Sequence, residues 1–204
     1  MRRAVRKFYT LVEIMTVIVI AAILFGIGIP AFTTMIQGSN MTVAIRQLSA
    51  KISAARAYAV TNRCKVAVLL MKNETGLKED YCYSAYRVCV VNDDNSFREW
   101  IEDENWKTLP IGVLRQNVSQ SESITSLDIT DIGSSANTAV ALVFMENGQM
   151  KNATSDISLR QGRYVNGNLV FTERNGDGKI ISHPIEINKY TGKVKVKDIT
   201  ESDT

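Results

Sequence analysis

From Leu11 to Phe32 almost every residue is apolar, and only Glu13 carries charge. Thr16, Gly26, Gly28 and Pro30 interrupt the run mildly. At about 1.5 Å rise per residue, a helix of this length crosses a hydrocarbon core of roughly 30 Å. Arg2, Arg3, Arg6 and Lys7 precede it, and basic flanks stay on the cytoplasmic side. The expectation is a single pass through the inner membrane, N-terminus inside, with the bulk of the chain exported. Glu13 is the anomaly. A carboxylate near the end of an apolar helix is costly without a partner, and no Lys or Arg lies within the run. Its partner must come from a chain terminus or another molecule. A basic segment before an apolar one also describes an ordinary anchor or a secretory signal. This run is longer than a usual signal core, and no Ala-x-Ala site follows it.

Phe8-Tyr9-Thr10-Leu11-Val12-Glu13-Ile14 resembles the prepilin cleavage and methylation motif, Gly-Phe-Thr-Leu-Ile/Val-Glu. That motif is shared by type IV pilins and the pseudopilins of type II secretion. Tyr9 takes the place of the family's Phe, and Thr10, Leu11, Val12 and Glu13 follow in register. Phe8 departs from the pattern, standing where a nearly obligatory Gly precedes the cut. The resemblance implies that a prepilin peptidase/N-methyltransferase removes the leader, residues 1–8, between Phe8 and Tyr9 and methylates the Tyr9 amine. It implies that Glu13 pairs with the terminal amine of a neighbouring pilin or pseudopilin in a filament. Pro30 falls where pilins commonly carry a helix-bending proline.

Beyond the run the helical pattern continues. Met41, Ala44, Ile45, Leu48, Ile52, Ala55 and Ala59 recur at three- and four-residue spacing, with Arg46, Lys51 and Arg56 between them. Residues 9–32 and their amphipathic continuation, 33–62, form one spine, with Gly38-Ser39-Asn40 a candidate break. From 63 to 204 the texture is short and β-rich. Strands are expected at 65–71, 81–91, 97–101, 106–113, 124–129, 139–144, 169–173, 179–187 and 193–196. Glu146-Asn147-Gly148-Gln149 and Asn175-Gly176-Asp177-Gly178 read as hairpin turns, and 200–204 as a frayed tail. A helical spine followed only by short strands predicts an α+β, pilin-like design with the sheet on the spine.

Three segments strengthen the resemblance and narrow it to the GspH/FimT minor pseudopilins and minor pilins. They are Trp106-Lys107-Thr108-Leu109-Pro110-Ile111-Gly112-Val113, Val143-Phe144-Met145-Glu146-Asn147-Gly148, and Ile185-Glu186-Ile187 with Thr191-Gly192-Lys193-Val194-Lys195-Val196. The resemblance implies a structural subunit of type II secretion or, alternatively, of a type IV pilus, where some members bind DNA through Gly-Arg-x-Arg. Here that site reads Gly192-Lys193-Val194-Lys195. Lys193, Lys195 and Lys197 alternate and share a face on a strand, yet Lys lacks the bidentate fork of Arg. The same spacing suits a solvated edge strand.

Charge and chemistry exclude much else. Setting aside Arg2, Arg3, Arg6, Lys7 and Glu13 leaves 20 cations and 20 anions from totals of 24 and 21, so global basicity gives no support to nucleic-acid binding. His183 is the only histidine, and no catalytic triad or His-rich metal site can be assembled around it. The chain therefore reads as a non-enzyme without a cofactor. Glu173-x-Asn175-x-Asp177-Gly178 resembles the front of a calcium loop but lacks the distal acid, and a hairpin needs the same residues. Cys82 and Cys89 could pair in an oxidising compartment. One strand would hold them too far apart unless the chain turns between them.

Overall fold

The computed structural model describes residues 10–202 apart from 75 and 152, with the side chains of 27–38 left aside. Helix α1 spans Leu11–Asn62. Its backbone is helical through Pro30 and across Gly38-Ser39-Asn40, so the expected break does not interrupt it. Pro30 sits within this helical backbone, and its side chain is among those left aside. The chain divides into two compact units, one ending at Ser39 and one starting at Asn40. The boundary read from sequence at 62/63 thus falls inside the second unit. The reason is packing: the stripe Met41, Ala44, Leu48, Ile52, Ala55 and Ala59 is buried in the core of the β-rich unit.

α1 closes with an αL cap in which Arg63 (φ 50°) stands where glycine is usual, and the Cys64 amide reaches back to the Ala59 carbonyl at 3.2 Å. Among the described residues twelve strands follow, and all their pairings within the sheets are antiparallel. The first sheet contains β1 (Lys65–Leu70), β2 (Ala85–Val91), β3 (Phe97–Trp100), β4 (Lys107–Thr108), β6 (Glu122–Ile124) and β7 (Ala139–Phe144). Their order is β3-β2-β1-β7-β6, with β4 also on β2. The second contains β5 (Val113–Val118), β8 (Ser155–Val165), β9 (Asn168–Phe171), β10 (Ile180–Ile187), β11 (Val194–Val196) and β12 (Thr200–Ser202). Its order is β11-β10-β8-β5, with β12 on β10 and β9 on β8.

The α+β class expected from sequence holds. β1 explains why its run Lys-Val-Ala-Val-Leu-Leu shows no polar alternation. Val66, Val68 and Leu70 join the helix-side core with Leu142, Ile157 and Ile185, while Ala67 and Leu69 join a second core with Leu127, Ile129 and Ile132. A strand buried on both faces has no polar side to show.

Four local expectations are corrected. The strand expected from Tyr81 begins at Ala85, because Glu79–Tyr81 is a 3-10 turn and Tyr83 takes φ 57°. β8, at 11 residues the longest strand, and most of β5 were not anticipated. The turn at 175–178 does not join two paired strands: β9 and β10 both pair β8, and Arg174↔Ile180 is only a bridge. Residues 200–202 are not a frayed tail but β12, in register on Ile180–Ser182 of β10.

Candidate assembly surface and motif residues

Thr10 begins α1. Its Oγ1 accepts from the Glu13 amide at 3.2 Å, and its carbonyl from Ile14 at 3.2 Å. Thr-x-x-Glu is a capping-box spacing, and a carboxylate in the first turn is favoured by the helix dipole. The local structure thus gives part of the motif a reason of its own, one that sequence reading passed over. The rest of the first turns does not explain itself within one chain. Every large apolar side chain from Leu11 to Phe25 is more than half exposed. Thr16, the polar residue among them, turns its hydroxyl onto the Val12 carbonyl at 2.8 Å. Phe8 and Tyr9, the implied cleavage and methylation positions, lie outside the described residues. Among the described residues no helix is long and apolar enough to cross a membrane. The expected crossing, 9–32, includes residues 27–32, whose side chains lie outside the described residues.

The family-like segments of the second unit converge on α1. Arg56 donates from Nε to the Gly148 carbonyl at 3.1 Å. A Cβ on Gly148 would meet Val60 Cγ2 at 2.8 Å. A Cβ on Gly192 (φ +59°) would collide with the same Gly148 carbonyl and meet Arg56 Cδ at 2.7 Å. Gly148 and Gly192, 44 positions apart, are therefore two halves of one close approach over the helix. At the other end, the Ile111 carbonyl accepts from the Asn40 side chain at 3.0 Å, while Leu109 is buried in the core. Packing accounts for these residues without a ligand.

The lysine face is partly neutralised. Lys197 lies 2.6 Å from Glu186 and 3.3 Å from Asp156, and its bond to Glu186 raises its pKa. Lys195 is cross-strand from Glu186. Lys193 is exposed in the turn before β11. Of the calcium candidates, Asn175 spends its Oδ1 on the amides of Asp177 and Lys179, both at 2.9 Å, and its Nδ2 on Glu201. Glu173 faces His183 at 3.4 Å. These are turn and strand contacts, and among the described residues no group of three or more His, Cys, Asp or Glu could hold a metal.

Cys82 and Cys89 do not pair; Cys64, Cys82 and Cys89 are all free. Cys89 lies inside β2, whereas Cys82 precedes that strand, at the end of the Glu79–Tyr81 3-10 turn. Burial pushes the Cys89 thiol up to about 12, so it behaves as a small apolar residue.

Two buried arginines carried no sequence signal. Arg115 on β5 is 2% exposed; its Nη2 donates to the Met71 carbonyl at 2.6 Å, and its Nη1 has no partner. Burial lowers its pKa to about 10. Arg160 on β8 is also buried. A lone Arg in a strand reads as an exposed position, since alternation alone cannot distinguish a solvated face from one covered by another element.

No family model matches the chain, and no curated protein matches it in sequence. Solved structures are similar at low identity. The type IV minor pilin FimU of Pseudomonas aeruginosa matches at 14% identity and a TM-score of 0.45, over 77% of this chain and 87% of that one. The minor pseudopilin EpsH of the Vibrio cholerae type II secretion system matches at 11% identity and a TM-score of 0.44, over 81% and 98%.

Proposed function

We propose that this chain is a structural subunit of the minor pilin and pseudopilin kind, anchored in the inner membrane by residues 9–32 and inserted into a filament through the same helix. The observation that carries the reading is the start of α1. A Thr10-capped turn bearing Glu13 leads into apolar side chains exposed from Leu11 to Phe25. An exposed apolar face of that length must be covered by lipid, by other helices, or by each in turn. Neighbouring pilins or pseudopilins are the partners, and prepilin peptidase removes residues 1–8. A type II secretion pseudopilin is the favoured role and a type IV pilus minor pilin the alternative; the helix-facing segments resemble both kinds. DNA binding by Lys193, Lys195 and Lys197 is not favoured, because Lys197 is held by two carboxylates.

Glu13 tests the proposal. In lipid its carboxylate awaits an amine, and low dielectric strengthens that attraction as both leave water. The pair sets register more than it adds stability, since desolvation offsets much of the Coulomb gain. Glu13→Leu and Glu13→Gln should leave membrane insertion intact and lower recovery in the filament fraction when expressed beside partner pilins. Wild-type assembly by both variants would show the helix to be a plain anchor.

A further inference from the structure

The second sheet holds a cluster of buried polar groups whose hydrogen-bonding capacity is unused. Arg160 is 5% exposed. Its Nη2 donates to Ser202 Oγ on β12 at 2.7 Å, its guanidinium carbon lies 5.1 Å from the Phe171 ring centre, and its Nε and Nη1 have no partner. Ser182 on β10 is 3% exposed, and its hydroxyl has no partner. Leu159 pairs His183, so one further step of that register sets Arg160 opposite Ser182. Ser182 is itself opposite Thr200, and Ile180 opposite Ser202. Residues directly opposite each other in an antiparallel pair project from the same face. Arg160, Ser182, Thr200 and Ser202 therefore share one face, with the three-residue β12 as its margin.

A guanidinium has donors only, and a hydroxyl can add another. Buried donors without acceptors carry a desolvation cost that any matching acceptor relieves. No carboxylate among the described residues pairs with Arg160; Glu201, the acid on β12, accepts instead from Asn175 at 2.8 Å. We propose that Arg160 and Ser182 form a binding site for a small oxyanion, with β12 as the strap that lifts to admit it. β12 suits that role: it holds β10 by three register pairs, and Thr200 and Glu201 are exposed.

The test is thermal unfolding of the full chain in detergent, with inorganic phosphate titrated against sodium chloride at equal ionic strength. Phosphate also stabilises proteins by exclusion, so the informative quantity is the difference between variants. The wild type should gain about 5 °C once phosphate exceeds its Kd a hundredfold, and Arg160→Met and Ser182→Ala should lose most of that gain. Equal gains in all three proteins, or no phosphate-specific gain, would overturn the site. Should Arg160→Met fail to fold, the wild-type Arg160 Nε–H resonance decides: it must move on adding phosphate, and an unmoved resonance overturns the proposal. Replacing phosphate by acetate separates a phosphate preference from a carboxylate one.

Discussion

The contact between Gly148 and Gly192 can be dissected by four alanine substitutions that separate backbone strain from collision. Gly192 has both a left-handed φ and close neighbours; Gly112 has φ +85° with nothing within 4 Å of its Cβ position. Gly162 lies outside the left-handed region, yet its Cβ would sit 2.5 Å from the Val170 carbonyl and 3.1 Å from Phe171 Cα. Gly176 has neither problem. A left-handed φ costs an L-residue roughly 1–2 kcal/mol. Overpacking costs about 1–3 kcal/mol. Restricting the unfolded chain returns about 0.4–1 kcal/mol at each site. Gly176→Ala should therefore be neutral or stabilising by up to about 1 kcal/mol. Gly112→Ala should lose about 0–1.5 kcal/mol and Gly162→Ala about 0–2.5 kcal/mol. Gly192→Ala should lose about 1–4.5 kcal/mol, because both penalties act together. Denaturant unfolding at a common slope reads these as midpoint shifts. Adding Arg56→Ala to Gly192→Ala should restore little, since the Gly148 carbonyl still collides and loses its Nε donor. The packing account of the Thr191-Gly192-Lys193 motif is refuted if Gly192→Ala is no less stable than Gly112→Ala.

Arg115 offers a second measurement. Its pKa of about 10 against an ordinary 12.5 corresponds to about 3 kcal/mol of burial cost carried by the charge. A base with a lowered folded pKa gains stability only as pH climbs above about 10, so at neutral pH the full cost is present. Arg115→Met should therefore lose no more than about 2 kcal/mol, while Arg115→Ala, which opens a cavity, should lose about 3–5 kcal/mol; equal losses in thermal unfolding would contradict this. Intact mass of membrane-extracted protein should show loss of residues 1–8 and one added methyl on Tyr9, whereas a retained leader in a host with active prepilin peptidase would show that Phe8 blocks the cut. Duplex DNA binding should be weak at low salt and unchanged by alanine at Lys193, Lys195 and Lys197; steep salt-dependent binding lost in that variant would restore the DNA reading.

Much of the fold was legible because hydrophobic pattern and burial agree there. The stripe from Met41 to Ala59 is buried as its spacing requires, and the apolar runs of β1 and β7 are central strands. β8 escaped because Arg160, Gln161 and Gly162 break its alternation, although all three are buried. Asn166-Gly167, both at positive φ, makes the β8–β9 turn and was the available signal for that strand's end. At the candidate surface, Glu13 stood out because a charge inside an apolar run is rare. Thr10 did not, because a cap looks like any other threonine until its partner amide is seen. The Gly148–Gly192 contact was illegible for a different reason: each glycine sits in an ordinary turn, and only the third dimension brings the turns together.

The position of β1 also governs how the second unit can come together in time. β1, ending at Leu70, pairs β2, starting at Ala85, but on its other side it waits for β7, with Val66 opposite Phe144, 78 residues later. Closing so long a loop is slow compared with forming α1 or the β1–β2 pair. Until it closes, Lys-Val-Ala-Val-Leu-Leu presents an open, apolar edge on the incompletely folded chain, and Ala-Val-Ala-Leu-Val-Phe is its match. Two such strands on different molecules can meet as readily as two on one. The yield of folded protein should therefore fall with concentration during refolding, and β1 marks the stretch of chain that a holding factor would need to cover.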